Sequence, residues 1–420
     1  MRVHSLDLTN IGPFDEAHLT FPTQGQGPAV TFITGENGTG KSIVLDAIRA
    51  SFGVTIGPIE RPIWREGIPF AVSLRSQEGG GPVLDFAANA KISFGPPNPG
   101  FGLIPHKQDL YQLLVSRLAA VSQGTSCPNW ILDYWRSGLP SDPYEIRSLI
   151  TPNPRTYLSG ALSGVVRNAA ATESLCFFDY LRGSSDPQEK ETGEALFEAT
   201  RRIIELSLLD GRFIHIDRRT LTPYVEQSGH RVPLRNLSSG NAYLIQRLLG
   251  LLVKMYAVHT LRGTPAETLC ETPGLLLIDE AENHLHPRWQ KRLLPEILGI
   301  FPNLQIIATT HSPFILSSVA NARVYVCSYR KEERTCIIED ASANFASQPV
   351  DQILISPALD HTQPFSAPIT SLIEDRKTAI ENGNRDEQNR IEALLLEENP
   401  DYFAYFRIDE QLRLLAGGVQ

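Results

Sequence analysis

The stretch "ITGENGTGKS", Ile33 to Ser42, decides the architecture. It contains G-x-x-x-x-G-K-[ST] from Gly35 to Ser42. It lies between "AVTFIT", a continuous apolar run typical of a buried strand, and "GKSIVLDAIRASF", which reads as a helix. That strand–loop–helix context makes the pattern specific. The glycines let backbone N–H groups converge on phosphate oxygens, and the helix that follows adds the positive end of its dipole. Gly35, Glu36, Asn37, Gly38, Thr39, Gly40, Lys41 and Ser42 are therefore expected to cradle phosphates. In this reading Lys41 reaches the β- and γ-phosphates and Ser42 ligates Mg²⁺.

Three stretches further along complete the pattern. "LLLIDEAENHLHP" (Leu275 to Pro287) opens on a second buried run and ends it with Asp279, at the end of a strand where α/β folds place ligand groups. Asp279 is the expected Mg²⁺ ligand, and Glu280 beside it is placed to polarise an attacking water. "IIATTHSPFILSS" (Ile306 to Ser318) ends another strand at His311, which can donate a hydrogen bond to the γ-phosphate and report its presence. Glu280, His311 and Lys41 are the expected catalytic set. "RNLSSGNAYLIQRLLGLLVKMY", from Arg235, places Ser238, Ser239 and Gly240 at the N-terminus of a long apolar helix, where free N–H groups form a second anion cradle. His284 and His286 form H-x-H beside Glu282. With no further ligand at suitable spacing, zinc is not expected there.

Strands alternating with helices around buried runs imply an α/β core with helices on both faces. Expected strands include "RVHSLDLTNI", "EAHLTF", "FAVSLRS", "VLDFAANAKISF", "RFIHID", "GLLLID", "LQIIATT" and "ARVYVCSYR", with a hairpin turning at Ser228-Gly229. "YQLLVSRLAAV" and "NWILDYW" read as small helices. Longer helices are expected near Tyr157 to Arg182 and Gln188 to Leu209. The chain divides into an N-terminal lobe (1–94), a mostly helical insertion (95–210), a C-terminal lobe (211–345) and a charged helical tail (346–420).

The chain has 420 residues, a net charge of −9 and 42% hydrophobic residues, as expected of a folded globular protein without global attraction for nucleic acid. Five cysteines without a C-x-x-C pair point to a reducing, cytoplasmic setting, with Cys327 and Cys336 expected as buried small hydrophobes. No run approaches 18 uninterrupted apolar residues, so no membrane span is expected.

The order of these motifs resembles ABC-type ATPases, specifically the non-transporter SMC/RecF/OLD-like branch of AAA-family ATPases. The segments that carry the resemblance are "SLDLTNIGPFDEAHLTF", "ITGENGTGKSIVLDAI", "LSSGN", "LLLIDEAENHLHP" and "ATTHSPFIL". It covers roughly residues 1–90 and 210–330. It implies a P-loop ATPase head with a mixed sheet flanked by helices, using ATP and Mg²⁺. It also implies a homodimer or higher homo-oligomer in which the signature of one subunit, Leu237 to Asn241, closes over the nucleotide held by another. Ser238, Ser239 and Gly240 would then contact ATP in trans. Asn241 stands where many relatives have glutamine, and Ser239 where many have glycine. Gln77 is a weak candidate for the family's glutamine-loop residue, and that role stays unfilled. A compact member without a long coiled coil resembles the Septu-type and retron-associated antiphage ATPases, which work with a separate nuclease, and contact with nucleic acid is compatible with that branch. The alternatives are an OLD-type nuclease, a DNA-repair ATPase or a transporter ATPase subunit. An OLD-type nuclease would need a D-x-D pair after His311, and none is present. A transporter subunit would have a shorter segment between the two cradles.

Overall fold

The computed structural model describes residues 1–22, 29–53, 67–77, 81, 83–94, 100–107, 129–138, 145–159, 168–208, 210–342, 345–359 and 361–406. "YQLLVSRLAAV" lies outside them. An eleven-stranded mixed sheet organises the first of two compact units, residues 1–353 and 357–360. Its strands are β1 (Arg2–Ile11), β2 (Phe14–Thr20), β3 (Val30–Gly35), β4 (Ala71–Gln77), β5 (Val83–Phe94), β6 (Gly100–Lys107), β7 (Ile131–Trp135), β11 (Gly274–Ile278), β12 (Leu304–Thr309), β13 (Arg323–Arg330) and β14 (Thr335–Asp340). The order is β6-β5-β4-β1-β2-β14-β13-β3-β12-β11-β7.

One half, β6 to β2, is an antiparallel meander. In the other, β13, β3, β12, β11 and β7 run parallel. Every residue of β3, β11 and β12 is buried, as their unbroken apolar runs require of strands covered on both faces. Helix α1 (Lys41–Ser51) sends Val44, Leu45 and Ile48 into a core shared with Leu6, Leu8, Val72 and Leu74 of the meander. A separate three-stranded sheet joins β8 (Gly211–Asp217), β9 (Thr222–Gln227) and β10 (His230–Pro233). Its β9–β10 turn places Ser228 and Gly229 at positive φ, as the sequence leads one to expect.

Residues 95–210 hold helices α2 (Pro154–Ser159), α3 (Asn168–Arg182) and α4 (Pro187–Ser207), and also two strands that local pattern did not reveal. "NWILDYW", expected as a small helix, supplies β7. The parallel edge of β11 lies open to a partner, and β7 pairs with it residue for residue, from Gly274 opposite Ile131 to Ile278 opposite Trp135. Tertiary pairing overrides a five-residue propensity there. β7 is pinned from both faces. The Arg49 guanidinium of α1 stacks 3.9 Å from the Tyr134 ring. On the other face Lys254 of α5 (Ser239–Arg262) meets Asp133 at 3.1 Å, and both side chains are buried.

Helix α5 is long and apolar enough, by length and composition alone, to cross a membrane. Most of it is buried, against α2, α3, α4 and β7, as befits a core helix. The remaining helices of the first unit are α6 (Pro287–Ile300) and the single turn α7 (Pro313–Leu316). A short α8 (Val350–Leu354) runs up to the boundary. The second unit comprises residues 354–356 and 361–420, so the boundary falls later than position 346. It is a hairpin of α9 (Ala367–Glu381) and α10 (Arg385–Glu398). Its core is partly aromatic: Ile391 and Leu395 pack with Phe403 and Phe406, and Arg376 meets Glu392 at 2.7 Å.

Candidate nucleotide site

The loop between β3 and α1 gathers the residues expected to cradle phosphate. A cavity of about 470 Å³ is lined by Gly12, Pro13, Asn37, Gly38, Gly40, Lys41, Ser42, Ile43, Glu280 and His311. This volume falls within the range of small-molecule and cofactor sites. The three expected catalytic residues therefore share one cavity although their positions span 270 residues. β3, β12 and β11 are adjacent parallel strands, so their ends bring the phosphate loop, His311 and Asp279–Glu280 to one edge.

The loop's geometry is tight. At Gly35 φ is +128°, and a Cβ would lie 1.9 Å from the Cys327 carbonyl oxygen of β13, so no side chain fits. Lys41 Nζ donates to the carbonyls of Gly35 (2.9 Å) and Glu36 (2.6 Å), which curls its ammonium into the loop. Thr39 Oγ1 donates to the Glu36 carbonyl at 2.8 Å. Burial holds the Lys41 pKa below its ordinary value, against the opposing pull of Glu282, Glu280 and Asp279.

Ser42 Oγ donates to Asp279 Oδ1 at 2.6 Å, so the two expected metal ligands already touch. One hydroxyl and one carboxylate, beside a lysine and at the mouth of a phosphate-sized cavity, are hard oxygen donors of the kind Mg²⁺ takes. Asp279 is almost wholly buried and also accepts from Thr309 Oγ1 at 2.9 Å. The same Thr309 oxygen accepts the Glu280 backbone N–H at 2.8 Å. Glu280 stands at φ +55°, an uncommon conformation for a non-glycine residue, and Asn283 donates to its carboxylate. Thr309 thus joins the end of β12 to both acidic residues.

His311 is held from behind. Glu282 accepts from the His311 backbone N–H (2.8 Å) and from Thr310 Oγ1 (2.6 Å). Ser312 caps α7 and donates to Gln290 of α6 at 2.6 Å. Burial, and then the nearby Lys41 charge, lower the His311 pKa, which favours the neutral imidazole.

Thr309, Glu282 and Gln290 were not singled out from sequence. Glu282 lies two residues past Glu280, which was a signal. Its partner is 29 positions away on another strand, and nothing local reveals that.

Ser238, Ser239 and Gly240 do not line this cavity. Ser238 is the N-cap of α5, its hydroxyl accepting from the Asn241 N–H at 3.4 Å. A Cβ on Gly240 would lie 2.4 Å from the His284 carbonyl oxygen, so the signature packs against the loop that follows β11 in its own chain. His284 Nε2 lies 3.1 Å from the Ser137 carbonyl, and its ring sits 5.7 Å from that of Tyr243. His286 accepts the Arg288 N–H as the cap of α6. No group of three or more metal-binding side chains occurs among the described residues. Gln77 donates to the Gly81 carbonyl at 2.6 Å, in the turn after β4, and is not part of the cavity wall.

Parts of the chain are similar to known protein families. Residues 5–68 match the family described as "AAA domain", and residues 154–317 match "AAA domain, putative AbiEii toxin, Type IV TA system". Both matched segments are thus similar to AAA domains; the first contains the phosphate loop, and the second contains Ser238 to Gly240, Asp279–Glu280 and His311.

The chain is related to the ATPases of retron and Septu systems. The retron Vc95 probable ATPase of Vibrio cholerae serotype O1 biovar El Tor is 25% identical over 169 residues, 39% of this chain and 32% of that protein. The Septu protein PtuA of Bacillus thuringiensis is 33% identical over 109 residues, covering 26% and 27%. The retron Ec83 probable ATPase of Escherichia coli is 27% identical over 113 residues, covering 27% and 20%. The chain thus aligns with about a third or less of the length of these relatives. Among solved structures, the SMC head domain from Thermotoga maritima superposes with a TM-score of 0.43 at 16% identity, covering 82% of this chain and all of that one. The SMC head bound to the C-winged helix domain of ScpA gives 0.47 at 15% identity, covering 81% and 98%.

Proposed function

We propose that this chain binds and hydrolyses ATP, and that two copies close head to tail around the nucleotide. The observation that carries this reading is a division of labour. Lys41, Ser42, Glu280 and His311 line one cavity and Asp279 is bonded to Ser42 behind it, while Ser238 to Gly240 present a capped helix N-terminus outside it. An anion-binding helix end with no role in its own subunit's cavity suits a partner's γ-phosphate.

Lys41 and the N–H groups of residues 36–42 hold the phosphates. Mg²⁺, when bound between Ser42 and Asp279, supplies charge neutralisation at the phosphate oxygens. Glu280, held by Asn283 and by the Thr309 contact to its backbone, orients and polarises the attacking water. Neutral His311 donates to the γ-phosphate. Ser238 and Gly240 of the second copy complete the cage in trans, and hydrolysis loosens it.

The relation to Septu and retron ATPases supports a role as sensor or regulator in antiphage defence, in the cytoplasm, with a separate nuclease or other effector as partner. The test is phosphate release by the wild type, Lys41→Ala and Glu280→Gln. Wild type should hydrolyse ATP, Lys41→Ala should fail to bind it, and Glu280→Gln should bind without turnover. Hydrolysis by Glu280→Gln at the wild-type rate would refute the assignment. Challenge of cells carrying the chain and its neighbouring genes with phage tests the defence role. Equal protection by the Glu280→Gln variant would remove the ATPase from that role.

A further inference from the structure

A second cavity, of about 370 Å³, lies against the turn that leads into the signature. Its wall includes Leu234 and Arg235, which belong to the 3₁₀ turn Leu234–Asn236 directly before Leu237 and Ser238. The wall also includes Arg147, from the segment before α2, Thr220 of the β8–β9 turn and Thr222 at the start of β9, whose hydroxyl donates to the Thr220 carbonyl at 3.2 Å. Thr172 of α3 also lines it. As a residue it is largely buried, and its side chain faces the cavity. Arg147 is exposed and has no ion-pair partner among the described residues, while Arg235 meets Glu145 at 3.1 Å on the rim.

The chemistry is specific in kind. Two guanidinium groups suit a phosphate, which they bind as planar forks. Three threonine hydroxyls suit a sugar or the edge of a base. The apolar sides of Leu221 and Leu234 suit a base face. We propose that this cavity is a regulatory site for a nucleoside phosphate, distinct from the ATP site, and that its occupancy sets the position of the signature turn. The ligand's phosphate displaces Glu145 from Arg235 and recruits Arg147. The turn Leu234–Asn236 moves with Arg235 and carries Ser238 toward or away from the partner's nucleotide. This deepens the proposed function, because the regulated step is closure of the shared ATP site. Binding to the second cavity is measurable without that closure.

The test uses the full chain with its phosphate loop disabled by Lys41→Ala, so that only the second site reads out. AMP, GMP, CMP and UMP are titrated by calorimetry, alongside hexanucleotides bearing a 5′-phosphate, which distinguish a strand end from a free nucleotide. At least one probe should bind with one-to-one stoichiometry. Arg147→Glu, at an exposed and unpaired position, should weaken it by at least about tenfold. Thr172→Val should weaken it severalfold at unchanged melting temperature. In the wild type the same probe should change the rate of ATP hydrolysis, and Arg147→Glu should abolish that change. No binding by any probe, or binding indifferent to Arg147→Glu and Thr172→Val, overturns the proposal. A chain that binds the probe but never hydrolyses ATP instead contradicts the ATPase reading and leaves the second site standing.

Discussion

Replacing Thr309 by valine removes one hydroxyl and almost no volume, yet two groups depend on that oxygen. Thr309 is fully buried at the end of β12. It donates to Asp279 at 2.9 Å and accepts the Glu280 N–H at 2.8 Å. Valine keeps the shape and β-branching, so the strand itself should persist. What is lost is one hydrogen bond to a charged group, worth about 1.5–3 kcal/mol, and the partner of a part-buried N–H. The acidic pair loses its common anchor, and Glu280 loses the contact that holds its backbone at φ +55°. If that free energy falls on the transition state, kcat drops by about tenfold to a hundredfold, since 1.36 kcal/mol is a factor of ten. Lys41 and the loop N–H groups are untouched, so the KM for ATP should change little. The assay is steady-state phosphate release against ATP concentration, with nucleotide binding measured in parallel. A kcat within twofold of wild type, or a loss carried entirely by KM, would refute Thr309 as the residue that positions Glu280.

Four further outcomes follow from the same geometry. Gly240→Ala gains helix propensity but puts a methyl group against the His284 carbonyl, so a loss of about 1–3 kcal/mol is expected by chemical denaturation, with ATP-driven dimerisation weakened; an unchanged midpoint refutes the contact. Lys254→Met leaves Asp133 buried without its cation and should cost about 3–5 kcal/mol, of which the added Asp133→Asn change recovers part, as thermal melting of the set would report. Glu282→Gln keeps one acceptor for Thr310 or the His311 N–H but removes the charge, so turnover should fall severalfold with ATP binding retained in the same kinetic assay. The lowered pKa of His311 means that the unfolded chain binds the proton more tightly. Its contribution to stability is therefore full above the ordinary value of 6.5 and is lost as pH falls through and below it; His311→Gln should show a shallower acid loss than wild type between pH 7 and 5 in denaturant titrations.

Much of the site was legible because its parts are local. A phosphate loop, an acidic strand end, a strand-end histidine and a serine-capped helix each announce themselves within a dozen residues. The fully buried β3, β11 and β12 were legible for the same reason, since a continuous apolar run has few other homes. What escaped is what depends on distance in sequence. β7 hides in a five-residue stretch whose strand character comes from the open edge of β11. Thr309 looks like any strand residue until its hydroxyl is seen between Asp279 and the Glu280 N–H. Glu282 gains its role only when Thr310 and the His311 N–H arrive from β12. The pairing of Lys254 with Asp133 could not be read either, because a lysine in an apolar helix shows nothing of its partner.

The central claim is that each ATP is completed by a second copy of the chain, and mixing two inactive variants tests it most directly. Lys41→Ala destroys a subunit's own cradle, and Ser238→Arg blocks the cap it offers to its partner. Each alone should be inactive. Mixed in equal amounts, they form dimers with one intact composite site, from the cradle of the Ser238→Arg subunit and the cap of the Lys41→Ala subunit. ATP hydrolysis should therefore reappear, at about a quarter of the wild-type rate if the subunits pair at random and the two sites act independently. Should the mixture stay as inactive as its components while dimers form, Ser238 and Lys41 do not act across the interface.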